Sequence, residues 1–65
     1  MAKRANYIVN APLGRLNVRE SPSLDARILS TLESGEKVKI DPKVKTPEDW
    51  KALEDGGYVM AEFLE

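Results

Sequence analysis

The 65-residue chain contains no cysteine and no histidine. The missing cysteines exclude a disulfide and any thiolate metal site, and the commonest nitrogen ligand for metals is missing with histidine. The same two residue types supply the groups that most often attack a substrate or carry protons near neutral pH. The composition therefore argues against an enzyme, and we predict no catalytic residues, no metal and no cofactor.

Long apolar runs are missing as well. No segment approaches the roughly 20 apolar residues needed to cross a bilayer, so we expect no membrane partner. The basic start "MAKR" precedes an apolar portion that is too short and too interrupted for a signal peptide. Localisation stays open: the chain is cytoplasmic if it works where it is made, and extracellular or wall-associated if an export signal has been omitted.

Neither sign of charge is in excess. The chain has 10 basic and 11 acidic residues, a net charge of −1, and 42% hydrophobic residues, which is typical of a soluble globular protein. The length allows one domain, which we place at 1–65 with a flexible N-terminus at 1–5. A domain of this size buries only about 60% of its unfolded surface. Its stability must come from a well-patterned core, from self-association or from attachment to a larger protein.

Five short segments predict β-strands. Apolar and polar residues alternate in Arg15–Arg19 and Lys37–Ile40, whereas residues 6–9, 27–32 and Tyr58–Met60 are short apolar or β-favouring runs. Gly35 lies between the segments 27–32 and Lys37–Ile40. Because glycine tolerates the positive φ of a tight turn, we predict that these two segments form a hairpin.

The segment 46–57 has two interpretations. Thr46 before Pro47, with Asp49 three residues after Thr46 and Gly56 at the far end, is typical of a capped helix. The sequence "EDGG" between "WKAL" and "YVM" is equally typical of a tight hairpin turn. The local residues do not decide between the two.

Short strands at this spacing, with turn residues between them, predict an all-β fold of the barrel or sandwich type. Closing the sheet would also remove its exposed edges. The residues expected to point inward are Ile8, Leu16, Val18, Ile28, Leu32, Val38, Ile40, Leu53, Val59 and Leu64.

The chain contains, in order, "LNVRESPS", "ILSTLESGEKVKI", a tryptophan and "GYVMAEFL". This order resembles the bacterial SH3-like (SH3b) domain family. The matching residues are Leu16, Asn17, Val18, Arg19, Pro22, Ile28, Leu32, Gly35, Val38, Trp50, Gly57, Tyr58, Val59 and Leu64. The resemblance implies a small SH3-like barrel of five to six short antiparallel strands, and it favours the hairpin over the helix in 46–57. The chain departs from the family in a short interval between Trp50 and Tyr58 and in Lys51, where a second aromatic residue is common.

Members of that family often direct wall hydrolases to peptidoglycan or its peptides. The resemblance therefore implies a non-catalytic binding module with a cell-wall ligand. The predicted ligand-binding residues are Asn17, Arg19, Glu20, Trp50 and Tyr58. Asn17 and Arg19 point away from the predicted core and border a polar loop. Trp50 has two open interpretations, as a core residue or, if partly exposed beside Tyr58, as an anchor for a peptide or glycan.

Two other functions are compared with this one. A small intracellular or phage-encoded structural protein would use the barrel to self-associate or to dock a protein partner. A stripe of lysines would attract nucleic acid, but the net charge of −1 and the few aromatic residues disfavour that function. The lysines concerned are Lys37, Lys39, Lys43, Lys45 and Lys51. The carboxylate pairs Glu48/Asp49 and Glu54/Asp55 are expected to be solvated turn residues, because neighbours on a strand point to opposite faces.

Overall fold

Six short antiparallel strands form the protein in the computed structural model, which describes residues 5–65. They are β1 (Ala5–Ile8), β2 (Arg15–Arg19), β3 (Ile28–Glu33), β4 (Lys37–Ile40), β5 (Trp50–Ala52) and β6 (Tyr58–Met60), followed by a 3-10 turn over Ala61–Phe63. The predicted all-β class and the number of strands are confirmed. Of the N-terminus predicted to be flexible, residues 1–4 lie outside the described residues, whereas Ala5 begins β1 opposite Ile40.

The strands are arranged in two sheets that are joined at their ends. One sheet has the order β3-β2-β6-β5, and the other pairs β1 with β4. A bridge between Ile40 and Leu53 joins β4 to the chain after β5, and a bridge between Val9 and Leu64 joins the chain after β1 to the C-terminal segment. These links close the two sheets around one interior, in agreement with a small SH3-like β fold.

The predicted hairpin between β3 and β4 is wrong. The turn at Gly35 is present, with φ +98° and a bond from the Glu36 amide to the Glu33 carbonyl at 3.1 Å. The strands separate beyond it, because Val9 bonds to the turn on both sides: the Gly35 amide donates to Val9 at 2.7 Å, and the Val9 amide donates to Glu36 at 2.9 Å. The chain after the turn therefore continues as the partner of β1, while β3 pairs with β2.

The main hydrophobic core lies between the two sheets. Its buried members are Val9, Ala11, Leu16, Val18, Val38 and Val59, and the partly buried Tyr7, Leu32, Leu53, Phe63 and Leu64 pack against them. Ile40, Trp50 and Ala52 are also buried but do not belong to this cluster. Eight of the ten predicted inward residues are thus buried or partly buried.

Two of the predicted core residues, Ile8 and Ile28, are wrong, being 46% and 48% exposed. Ile8 lies opposite Lys37 on the outer face of its sheet, and the adjacent Val9 is buried instead. Ile28 is exposed for a different reason. The register between β2 and β3 shifts at Val18/Arg19, and the shift places Ile28 opposite the outward-pointing Arg19. Such a bulge reverses the side to which the following residues point.

The segment 46–57 forms a turn and a hairpin. Strands β5 and β6 pair, with Ala52 opposite Tyr58, and the Leu53 amide donates to Gly57 at 3.0 Å across the turn. The hairpin that the resemblance favoured is confirmed. The Thr46 hydroxyl does not cap a helix, for it donates to the Trp50 carbonyl at 2.7 Å.

Candidate functional site

The outer surface of β2 and β6 brings together most of the predicted ligand-binding residues. Leu16 and Val18 point into the core, so Asn17 between them and Arg19 after them point outward. Arg19 lies directly opposite Tyr58 of β6. Glu20 follows Arg19 and is exposed. We call Asn17, Arg19, Glu20 and Tyr58 the polar face.

Arg19 fixes the loop over residues 20–27 beside the polar face. Its Nη1 atom donates to the carbonyls of Leu24 at 3.0 Å and Ala26 at 2.9 Å. The Glu20 amide closes the base of the loop by donating to Arg27 at 2.8 Å. A guanidinium presents five N–H donors, so these two contacts leave further donors on the same group. Arg19 can therefore hold the loop and still face a ligand.

Trp50 is buried, with 7% of its surface exposed. It lies on β5 opposite Met60, two register positions away from the Ala52/Tyr58 pair. This burial agrees with the interpretation of Trp50 as a core residue, and it leaves little of the indole surface for a ligand to contact. Tyr58 is half-buried and supplies the aromatic surface of the polar face.

A groove that the sequence interpretation missed runs between β3 and the β5–β6 turn. It has a volume of about 380 Å³ and is lined by Val18, Leu29, Ser30, Leu32, Leu53, Asp55, Gly56 and Gly57. Leu29, which is 51% exposed, forms part of its wall. The sequence does carry a signal for this site, since "ILSTL" has two adjacent apolar residues where strict alternation allows one.

The lysines do not form a single stripe. Lys37 and Lys39 are exposed on the outer face of β4, opposite Ile8 and Asn6 of β1. Lys43 and Lys45 lie in the loop between β4 and β5, and Lys51 is half-buried on β5. Within residues 5–65, no group of three or more acidic side chains is arranged to hold a metal ion. The same residues contain no helix that is long and apolar enough to cross a membrane.

The antiparallel strands, the closed arrangement of two sheets and the loop-bordered polar face define a small SH3-like domain. The chain belongs to the bacterial SH3 domain family, whose model matches residues 14–65. This family consists in general of binding modules. The chain is also similar to the uncharacterized protein YfhK of Bacillus subtilis (strain 168), with 37% identity over 67 residues. The match covers 98% of this chain and 37% of that relative. No solved structure matches the chain significantly.

Proposed function

We propose that the protein is a non-catalytic binding module that recognises a cell-wall ligand, peptidoglycan or its peptides, through the polar face. Family membership supports the binding role. The proposed position of the binding site rests on one observation. Arg19 lies directly opposite Tyr58, beside a loop that Arg19 itself holds in place. A cation, a half-buried aromatic ring and a fixed loop thus meet on one surface.

The polar face has the chemistry that a peptide or amino-sugar ligand requires. The Asn17 amide can donate and accept, and so can complement an amide of the ligand. The remaining N–H groups of Arg19 suit a carboxylate, with which charge-assisted hydrogen bonds are the stronger kind. Glu20 offers acceptors for an amine, and Tyr58 offers a rigid ring with one polar end. The ligand would bind to a shallow surface.

The proposal that the module is non-catalytic rests on the types of side chain in the sequence. No histidine or cysteine is available to attack a substrate or to transfer protons near neutral pH. Glu48, Asp49 and Asp55 are exposed in turns, where a carboxylate is solvated and keeps no fixed geometry. The polar face accordingly serves recognition.

A pull-down with purified wall material tests the proposal, using two exposed asparagines as a matched pair. Asn17→Ala removes an amide from the polar face, and Asn6→Ala removes one from the outer face of β1. We expect wall binding to fall several-fold in the first variant and to be unchanged in the second. Trp50→Ala is unsuitable, because truncating a buried tryptophan costs about 3–5 kcal/mol and would unfold a small domain.

Two results would contradict the proposal. One is the absence of wild-type binding to every wall preparation, and the other is an equal loss of binding in both asparagine variants. A protein partner is the second candidate, favoured by the exposed apolar side chains of Leu24, Ile28 and Leu29. Nucleic acid is the least favoured, since Lys37 and Lys39 are the only lysines that share a strand face among the described residues.

A further inference from the structure

Arg19 is a half-buried cation that has no acidic partner among residues 5–65. Its Nη1 atom donates to the carbonyls of Leu24 and Ala26, and these two neutral groups are the only partners of the guanidinium in that part of the chain. A charged side chain that is partly removed from water is usually paired with an opposite charge. The charge of Arg19 is therefore available to an anionic ligand.

The two bonds also determine which edge of the guanidinium remains for that ligand. Nη1 carries two N–H groups, which the two carbonyls suffice to occupy. The Nε and Nη2 atoms have no partner among the described residues. One N–H of Nη2 is parallel to the N–H of Nε, and this pair matches the two oxygens of a carboxylate. Because the loop holds Nη1, this edge is oriented before a ligand binds.

Apolar surface lies on both sides of Arg19. Ile28 of β3 and Tyr58 of β6 are its cross-strand partners. Directly opposite residues on neighbouring strands have Cβ atoms about 5 Å apart and point to the same face. Ile28 is exposed and Tyr58 is half-buried, so both can contact a ligand that binds Arg19. A bare inorganic anion cannot use these contacts, whereas an anion that carries an alkyl group can.

Asn17 indicates how such a ligand extends. It precedes Arg19 by two residues on the same face of β2, which is about 7 Å along the strand. An extended peptide covers the same distance in two residues. A peptide whose final carboxylate binds Arg19 thus brings a main-chain amide to the Asn17 side chain, which can donate and accept. In a C-terminal residue the carboxylate and the side chain are attached to the same carbon, so the side chain lies beside Ile28 and Tyr58.

We propose that the polar face recognises the free C-terminal carboxylate of a peptide that ends in a small apolar residue. This inference rests on the proposed function and names the part of the wall ligand that is bound, the end of a peptide. The carboxylate accepts from Nε and Nη2 of Arg19, and an amide upstream bonds to Asn17. The last side chain is small because Ile28 and Tyr58 closely flank Arg19.

An NMR titration with two forms of one peptide tests the proposal. The probes are acetylated trialanine with a free carboxylate and the same peptide with a C-terminal amide, each made from L- and from D-alanine. For a small ligand on a shallow surface we expect a dissociation constant on the order of 1 mM. In at least one chirality the carboxylate form should bind about tenfold more tightly than the amide, because charge-assisted hydrogen bonds are the stronger kind.

Two pairs of variants assign this preference to residues. Arg19→Gln should remove the preference for the carboxylate, whereas Arg15→Gln, the same change on the same face of β2, should retain it. Ile28→Ser leaves Arg19 and its loop in place and should weaken binding of the carboxylate form several-fold. Leu13→Ser is its control, because Leu13 is exposed in the turn before β2. Circular dichroism on each variant separates lost binding from lost folding.

Three results would overturn this inference. They are equal binding of the two forms, a preference that persists in a folded Arg19→Gln variant, and no binding of either form at concentrations well above the expected dissociation constant. The wall pull-down distinguishes its failure from that of the proposed function. Wall binding that is lost in Asn17→Ala, together with equal binding of the two peptides, would retain the polar face and reject only the carboxylate. Failure of both experiments would reject both.

Discussion

Gly57 occupies a position where both the backbone conformation and the packing require glycine. Its φ is +88°, and a Cβ built on it would overlap the Cγ1 methyl of Val18. Gly56 in the same turn has a φ of +103°, but a Cβ there would meet nothing within 4 Å. The two glycines therefore share the backbone requirement and differ in whether a side chain has room.

Alanine substitutions at these glycines should separate the two effects. Gly56→Ala should lower the free energy of unfolding by about 1–2 kcal/mol, the cost of a left-handed backbone. Gly57→Ala should lower it by a further 1–3 kcal/mol or so, since Val18 is in the buried core and cannot move away easily. Urea denaturation of both variants measures the difference. Equal losses would mean that Val18 does not restrict this position.

Arg19 acts on the loop over residues 20–27 through the geometry of its guanidinium. Lysine carries the same charge but cannot reproduce a planar group that donates to two carbonyls at once. We expect Arg19→Lys to lower the free energy of unfolding by about 1 kcal/mol, because the bonds are partly exposed. Amide exchange in 20–27 should become faster, while exchange in β1 and β4 stays the same. A loop with unchanged exchange rates would contradict this role of Arg19.

Single residues also show where the pattern was informative and where it was not. Alternation placed Leu16, Val38 and Val59 correctly, because each lies in a regular part of a strand, and it also placed Val18, which lies next to the shift of register. It failed at Ile8, since the pattern "YIV" has three apolar residues in succession and does not say which of them points inward. Burial of Trp50 was likewise left open, for a tryptophan suits both a core and a binding surface.

At the scale of elements, the turn after β3 explains why local signals gave the wrong partner. Glycine and the flanking strands predicted a hairpin, and the turn itself is present. Val9, which directly follows β1, accepts a hydrogen bond from the Gly35 amide and donates one to the Glu36 carbonyl. These are contacts between residues far apart in the sequence. The sequence of 27–40 alone contains no information about that contact.

Ser34 strengthens the same junction through its side chain. Its hydroxyl donates to the Val9 carbonyl at 3.4 Å and accepts from the Ala11 amide at 3.2 Å. We expect Ser34→Ala to lower the free energy of unfolding by about 1 kcal/mol, since the Ala11 amide loses its partner. Ser21→Ala in the loop after β2 is the control and should have little effect, because Ser21 is exposed. Thermal denaturation distinguishes the two, and a neutral Ser34 variant would contradict this account of the junction.

In the segment 46–57 the local residues were compatible with both a helix and a hairpin. The order of segments along the whole chain correctly predicted the hairpin. Thr46 and Pro47 are typical of a helix start, yet β6 offers β5 a partner for all three of its residues. A helix of about nine residues would be marginal in water by itself. The resemblance predicted the strand correctly because it used the spacing of the whole chain.

At the scale of the whole molecule, the closed arrangement of short strands was predictable and the surfaces were not. Period-two alternation and turn residues are local properties, and they indicate a small β fold. The polar face depends on which strands become neighbours, as in the pairing of Arg19 with Tyr58. The groove beside Leu29 depends in addition on a shift of register that no single segment reveals.

The central claim, that the polar face binds a wall ligand, is tested most directly by an NMR titration of the ¹⁵N-labelled protein with soluble peptidoglycan fragments. We predict that the largest changes in amide chemical shift occur at Asn17, Arg19, Glu20 and Tyr58, with small changes at Lys37 and Lys39 on the other sheet. A spectrum that does not change at any fragment concentration, or changes that centre on β1 and β4, would contradict the claim.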